Sequence, residues 1–569
     1  MGLGALALAV LSFQGYTYYP QIKYQIGKIF FSQNEVFDVE SGKELDEFEK
    51  SKRKNDLKKK KAEFNAYLNI INSSESDSNV PGLYLWGSNL NATIAPDHKS
   101  LKNVKVPIRL KYFEGMVLKD VKLGHQSAYA IDENGDLHQW GNGFNLENPS
   151  PSLSLSKQKI SKGELSNGCL YFLNNKNELL ILPENKKLQD SNIETTKQSF
   201  TKLATNDVFS WGEKIVDFKT GLEHLIVLTN KGKVYSSATG LKLSSKSFGQ
   251  FGLPEFSHFD SPPEPNKLYE IKLLNYQIEK NHKTGKVKSI NQRVIEQVAC
   301  GDYHTLCRDF GGSVWSFGRN TYGELGLPVA YDSEFIPFPK RIELFNKHFT
   351  SDNHAICTNI EAGGATSFAT FKTQDIRKMF MEHFNKDKIS YNNDSDKEAE
   401  ENVKPGDLFH FSFGNGLYGQ LGNGRYIHSN AEPTKIRTLM DMKEFNESEE
   451  MIKNIPVKNW SAGSNHAFVK LDNNDIYGWG SNEFGQLGNG KRAKSPKPIS
   501  IPTLIEPHSK INYKKYMNQS GFNPWNNRLQ LFTNKELVFK NPNGKTIKGK
   551  FDQVLAAGYN SSAIYYARS

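Results

Sequence analysis

Three histidines stand at matching places in this chain: His224, His304 and His466 each follow a glycine by three residues, at Gly221, Gly301 and Gly463. Imidazoles at equivalent places could converge on a metal ion. The other copies of the pattern put Ser127, Cys169, Thr366 and Ser561 there, and strands of separate units diverge from a common axis. The expectation is therefore a buried polar side chain bonded to a neighbouring unit's backbone. The four cysteines Cys169, Cys300, Cys307 and Cys357 contain no CxxC pair, which reads as buried thiols rather than a zinc site or disulfide framework. No serine, cysteine or carboxylate lies in a recognisable catalytic motif. No catalytic, metal-binding or cofactor-binding residues are therefore expected, and the chain reads as a non-enzyme.

A second candidate is the glycine-rich stretch IYGWGSNEFGQLGNG, residues 476–490. A phosphate-cradling loop would need a helix after the glycines and usually a lysine in the P-loop position, whereas Pro496 and Pro498 follow. Self-similarity explains the run instead. Leading elements begin at Gly124, Ser166, Gly221, Gly301, Gly363, Gly463 and Gly558. Partner elements end at Gly141, Pro183, Ala238, Gly318, Gly414 and Gly480. The offset is seventeen residues in five units and fifty-one at Gly363 to Gly414, an insertion of thirty-four.

Eleven residues after the leading position stand Gly135, Asn177, Gly232, Gly312 and Asn474, the residue types that tolerate positive φ, so each unit reads as a β-hairpin with a tight primed turn. Two residues further on stand Leu137, Leu179, Val234, Val314 and Ile476, the buried face of a second strand. The leading element at Gly558 lacks a downstream partner, and the one spare partner strand, LYLWGSN, ends near Gly87. Pairing them removes both free sheet edges. The predicted fold is all-β: a seven-bladed β-propeller over residues 81–566, closed by its N- and C-terminal strands.

Insertions are expected near 262–292, 371–405, 441–454 and 507–549; loops on a rigid ring are the usual carriers of recognition. One contains QDIRKMFMEHFNKDK, with Ile376, Met379, Phe380 and Phe384 at amphipathic helical spacing. Ahead of the ring, Gly2–Tyr19 is uncharged, and residues 1–19 are a candidate transmembrane anchor with Tyr16, Tyr18 and Tyr19 as an interfacial belt. Residues 20–80 form a charged helical stalk containing KSKRKNDLKKKK. Over all 569 residues, 72 basic and 62 acidic side chains leave +10. The lysines are scattered without a recognition motif, so no specific nucleic-acid partner is expected.

The G-x-x-H element followed by W-G-x-N-x-x-G-Q-L-G resembles the repeat of the regulator of chromosome condensation family. Gly301, His304, Phe317, Gly318, Gly323 and Gly326 match it in one unit, and Gly463, His466, Trp479, Gly480, Gly485, Gln486, Leu487 and Gly488 in another. The units at Ser166 and Gly221 depart from it, with Leu182-Pro183 and Ser237-Ala238 in place of an aromatic and a glycine. An anchor joined to diverged blades resembles the fungal mitochondrial branch associated with the inner membrane and with assembly of the cytochrome bc complex. That resemblance implies a single-pass inner-membrane scaffold holding a protein client, such as respiratory complex subunits or assembly factors. The better-known family activity implies the alternative, a nuclear exchange factor for a small GTPase or a chromatin-associated regulator, with Asp302 at the place of an acidic contact residue.

Overall fold

The computed structural model describes Ser51 and residues 78–569, apart from 99, 245, 282–284, 350–352, 376–406, 447–450 and 505–527. Residues 74–569 form one compact unit, separate from residues 1–73. The anchor, nearly all of the stalk and the helix expected from Ile376 onward lie outside the described residues. Among the described residues no helix is long and apolar enough to cross a membrane.

Seven antiparallel sheets follow one another along the chain. Numbered from the first complete one, blade 1 has strands Leu118–Leu123, Ala128–Asp132, Leu137–Trp140 and Ser152–Leu155. Blade 2 is Ile160–Ser166, Cys169–Asn174, Leu179–Pro183 and Thr201–Lys202; blade 3 is Ile215–Thr220, His224–Thr229, Val234–Ala238 and Tyr269–Glu270; blade 4 is Ile295–Cys300, His304–Asp309, Val314–Arg319 and Phe335–Arg341. Blade 5 is Asn353–Gly363, Thr366–Asp375, Leu408–Gly416 and Ile427–Lys435; blade 6 is Val457–Ala462, His466–Leu471, Ile476–Gly480 and Ser495–Ser500. We call the four strands a to d from the axis outward. Strands b are the most apolar, and Cys169–Asn174, His224–Thr229 and His466–Leu471 are buried throughout, as strands covered on both faces by neighbouring blades must be.

Blade 7 is shared between the chain ends. Its a and b strands are Thr546–Ala557 and Ser561–Arg568; its c and d strands are Tyr84–Ser88 and Asn103–Arg109. Tyr84 pairs with Ile564, Leu85 with Ala563, Trp86 with Ser562 and Gly87 with Ser561. The ring thus closes as the repeat spacing predicts, and the edge pair that a linear stack would expose is removed.

The turns between strands b and c use one left-handed residue each: Gly135, Asn177, Gly232, Gly312 and Asn474 have φ between 59° and 83°. In each the N–H of that residue returns to the carbonyl three residues earlier, as from Gly135 to Asp132 at 3.0 Å. This is a three-residue loop ending in a bulge rather than the predicted primed turn. Side chains reinforce it, since Asp132, Asn174 and Asp309 each accept backbone N–H bonds from the turn they precede. The departing blades 2 and 3 keep the register despite their altered motifs, with Cys169 paired to Pro183 and His224 to Ala238.

The glycine-rich run of blade 6 lies against blade 7. Trp86 Nε1 donates to the Gln486 carbonyl at 2.7 Å, just as Trp479 donates to Gln420 at 2.8 Å and Trp140 to Thr93 at 2.7 Å. Trp479 and Leu487 are fully buried. A Cβ on Gly485 would sit 2.6 Å from Lys105 Cα, and one on Gly488 would sit 2.9 Å from the Trp86 indole nitrogen. The run is a packing device between blades.

Candidate functional site

The three histidines do not converge. His224 Nε2 meets Thr305 Oγ1 at 3.1 Å, His304 Nε2 meets Ser367 Oγ at 2.8 Å, and His466 Nε2 meets Ser562 Oγ at 2.9 Å. Each imidazole therefore bonds a hydroxyl of the next blade, and the backbone contact that the sequence suggested is present at His466, toward Ser561. The backbone also enters one step later: Ser367 Oγ donates to Glu324 O and Ser562 Oγ to Gln486 O, at 2.7 and 2.8 Å. A hydroxyl has one proton, so these two serines accept from Nε2–H, which fixes the tautomer and leaves Nδ1 unprotonated. Burial pushes all three imidazoles down to about 3. They are neutral rivets between blades, and the hydroxyl in the residue after the histidine position is the sequence signal that pairs with them.

The leading glycines line the axis. A Cβ on Gly221 or Gly301 would lie 2.5 Å from the carbonyl oxygen of Gly301 or Gly364 in the next blade, and Gly363, Gly463 and Gly558 face Gly463, Gly558 and Leu123 in the same way. At the non-glycine position, Ser166 Oγ contacts the Gly221 and Leu222 carbonyls at 2.8 and 3.0 Å. Gly87, Gly141, Gly318, Gly414 and Gly480 sit at the far end of strand c, each opposite the histidine-position residue of strand b.

Within this glycine ring is an axial cavity of about 420 Å³. Its wall carries Lys122, Glu164, Lys219 and Glu361, with Lys122 at 3.0 Å and Lys219 at 3.8 Å from Glu164. Lys162 pairs with Asp217 beside them. Burial raises the Glu361 carboxyl above its usual value, against Lys219 and Lys122. Burial would raise Glu164 too, but Lys122, Lys219 and Lys162 outweigh it and hold that carboxyl low. The half-buried Cys300 also lines the cavity, and burial pushes its thiol up to about 12, so it stays protonated and unreactive. Cys169, Cys307 and Cys357 are buried. The cavity is an ion-paired seam between blades, with no activated nucleophile. Asp302 lies at its mouth: its N–H donates to Gly364 O at 2.7 Å and its carbonyl accepts from Leu222 at 2.9 Å. Burial raises its carboxyl, and Arg319 opposes the shift. Its backbone thereby ties the ring walls of blades 3 and 5 to that of blade 4.

The longest strand-to-strand connections between blades lie at the other end of the blades. Strand a runs toward the cavity mouth and strand b away from it, so b–c turns and d–a connections share the opposite, lower face. Blade 3 connects to blade 4 through a hairpin, Tyr276–Lys280 with Val287–Gln292; blade 5 connects to blade 6 through Lys443–Asn446 with Met451–Asn454. Blade 6 connects to blade 7 through Lys535–Lys540, which pairs with the lower half of a twelve-residue a strand. The fourth insertion leaves from the b–c connection of blade 5, between Asp375 and Leu408. Strand c of blade 7 begins on the same face, because Tyr84 pairs with Ile564 toward the far end of strand b. The two connecting hairpins, the Lys535–Lys540 connection, the point where the blade 5 segment leaves and the start of strand c in blade 7 therefore share one face, whereas residues 262–268 belong to the c–d connection of blade 3 at the cavity end, where Pro265 bridges Ala238.

That face carries unpaired apolar tips. Ile278 and Ile290 pair across one hairpin at 52 % and 63 % exposure, and Phe445 and Ile452 across another at 61 % and 68 %. Its charge is uneven. Residues 535–550 hold five lysines and one glutamate, whereas residues 443–454 hold two lysines and four glutamates.

A closed ring of seven such hairpin units defines the class, and the family comparisons agree. Two sequence models described as the regulator of chromosome condensation (RCC1) repeat match residues 295–324 with 457–486, and 311–369 with 473–511. Protein FMP25, mitochondrial, from Saccharomyces cerevisiae is 33% identical over 453 residues, spanning 75% of this chain and 67% of that protein. The chain belongs to this family of repeat propellers, with a mitochondrial protein among its relatives. The Arabidopsis thaliana Ultraviolet-B receptor UVR8 is 25% identical over 328 residues, 54% of this chain and 61% of the receptor. The crystal structure of human WBSCR16 has the same fold, at 16% identity and a TM-score of 0.52, covering 87% of this chain and all of that one.

Proposed function

We propose that this chain is a membrane-tethered mitochondrial scaffold that assists assembly of a respiratory complex, the cytochrome bc complex, by holding protein clients on the lower face of its propeller. The observation that supports the reading is that the hairpins joining blades 3 to 4 and 5 to 6 and the Lys535–Lys540 connection lie on that one face. Residues Gly2–Tyr19 supply the inner-membrane anchor in this reading. A connecting segment rich in lysine before blade 7 and one rich in glutamate between blades 5 and 6 suit a protein surface of mixed charge better than a uniformly anionic lipid surface. The mitochondrial relative supports the compartment.

The test is to replace residues 441–454 by a short turn and, separately, to remove residues 376–404, in cells otherwise lacking the protein. The expected result is loss of assembled cytochrome bc complex on native gels while the propeller remains folded and membrane-associated after alkaline carbonate extraction. Normal assembly with both variants, or extraction of the full chain into a soluble nuclear fraction, would overturn the proposal. The exchange-factor alternative places its contact on the opposite face, at Asp302. It predicts that the full chain accelerates nucleotide release from a small GTPase and that Asp302→Lys abolishes this.

A further inference from the structure

A cleft of about 310 Å³ separates the inner strands of blades 6 and 7 near the lower face, with Lys458 and Trp460 on one wall and Thr533 and Asn534 on the other. Lys470 reaches into it from strand b of blade 6 and is only 8 % exposed. Among the described residues its ammonium has neither a hydrogen-bond nor an ion-pair partner and, unlike its buried stem, opens into the cleft.

The repeat makes the anomaly sharper. Seven residues after the leading glycine, blade 4 places Arg308, which pairs with Glu296 of strand a at 2.7 Å. Blade 6 has Lys470 at the position of Arg308 and Lys458 at the position of Glu296. Two cations thus replace an ion pair. Asp552 borders the cleft as the one carboxylate among its described lining residues, forms no ion pair with either lysine, and accepts from the Asn534 N–H at 2.7 Å and from Ser569 Oγ at 2.6 Å. Burial, aided by Lys458 and only partly opposed by Asp552, pushes the Lys470 ammonium down to about 8, so the cleft holds two positive groups against one negative.

We propose that this cleft binds a small oxyanion, a phosphate or carboxylate group, between Lys470 and Lys458. Thr533 Oγ1 and the Asn459 and Asn534 amides supply further polar groups around the cleft, and the Trp460 indole forms its apolar wall. Lysine serves such groups as a point charge and needs no bidentate geometry. The assignment is independent of the client role proposed above.

Isothermal titration of the full chain with inorganic phosphate and, in parallel, with succinate, at ionic strength held constant with chloride, tests it. Saturable one-site binding is expected for at least one of the two, and which one binds identifies the oxyanion. Lys470→Met keeps the stem and removes the charge; it should weaken binding about tenfold or more while melting no lower than the parent without anion. Should that variant fail to fold, the exposed Lys458→Gln carries the same test, with weaker but measurable binding expected. Absence of saturable binding to either anion, or equal affinity in the parent and in the folded charge variant, overturns the assignment.

Discussion

Individual residues do two kinds of work here, and both can be measured. Gly485 has φ +85° and its missing Cβ makes room for the Lys105 backbone, whereas Gly544, φ +76°, has nothing within 4 Å. Gly544→Ala should cost about 1 kcal/mol, the backbone preference alone. Gly485→Ala should cost roughly 3 kcal/mol, because a strand of blade 7 must also move; denaturant unfolding of the two variants separates the effects. The buried histidines set an acid limit. Their folded values near 3 lie below the ordinary 6.5, so below pH 6.5 the unfolded chain takes up protons that the folded one refuses. The stability they contribute is complete above about pH 6.5 and drains away as pH falls toward 3, by about 2 kcal/mol per histidine between pH 6.5 and 5. His466→Gln should therefore be destabilised at pH 7.5 by about 1–2 kcal/mol, with the gap to the parent closing by pH 5. A gap that stays constant would mean that His466 is not buried neutral.

Elements differ in how far their sequence announces them. Blade strands were legible because a strand covered on both faces needs an unbroken apolar run, and each b–c turn needs one left-handed residue. The turn type was misread, since Gly or Asn at one place suits either a primed turn or a bulged three-residue loop; the side chains of Asp132, Asn174 and Asp309 decide for the latter. Insertions were visible as interruptions of the period, but not as hairpins. Tyr269–Glu270 also falls inside the 262–292 stretch as the outer strand of blade 3, because two residues leave no periodic trace. The apolar hairpin tips stabilise nothing within the ring. Ile278→Ser with Ile290→Ser should change unfolding free energy by less than about 0.5 kcal/mol, yet should reduce client capture if the lower face is the working surface. Co-purification of the client together with a melting curve reads both.

At the scale of the molecule, blade 7 is the clasp. Trp86 is fully buried, donates to the Gln486 carbonyl and lies edge-on to Phe468 at 6.3 Å between ring centres. Trp86→Ala should cost about 3–5 kcal/mol. Removing Tyr559–Ser569 takes away strand b of this blade and exposes both flanking edges, so the whole propeller, not one blade, should lose its cooperative melting transition. A truncated chain that still melts in a single sharp transition at the parent temperature would contradict closure as the source of the ring's stability.

The amino-acid sequence by itself determined the hairpin unit, the number of blades and the pairing of the two chain ends, because each copy must solve the same local turn and the same blade-to-blade contact with the same residue types at the same spacing. Only the tertiary structure decided that the hairpins joining blades 3 to 4 and 5 to 6 share a face, that Lys122, Glu164, Lys219 and Glu361 gather at the axis, and that Lys470 and Lys458 stand together in a cleft with Asp552. Those relations join residues from different turns of the ring. Their distance along the chain carries no periodic signal, and direction around and along the axis exists only once the circle is closed.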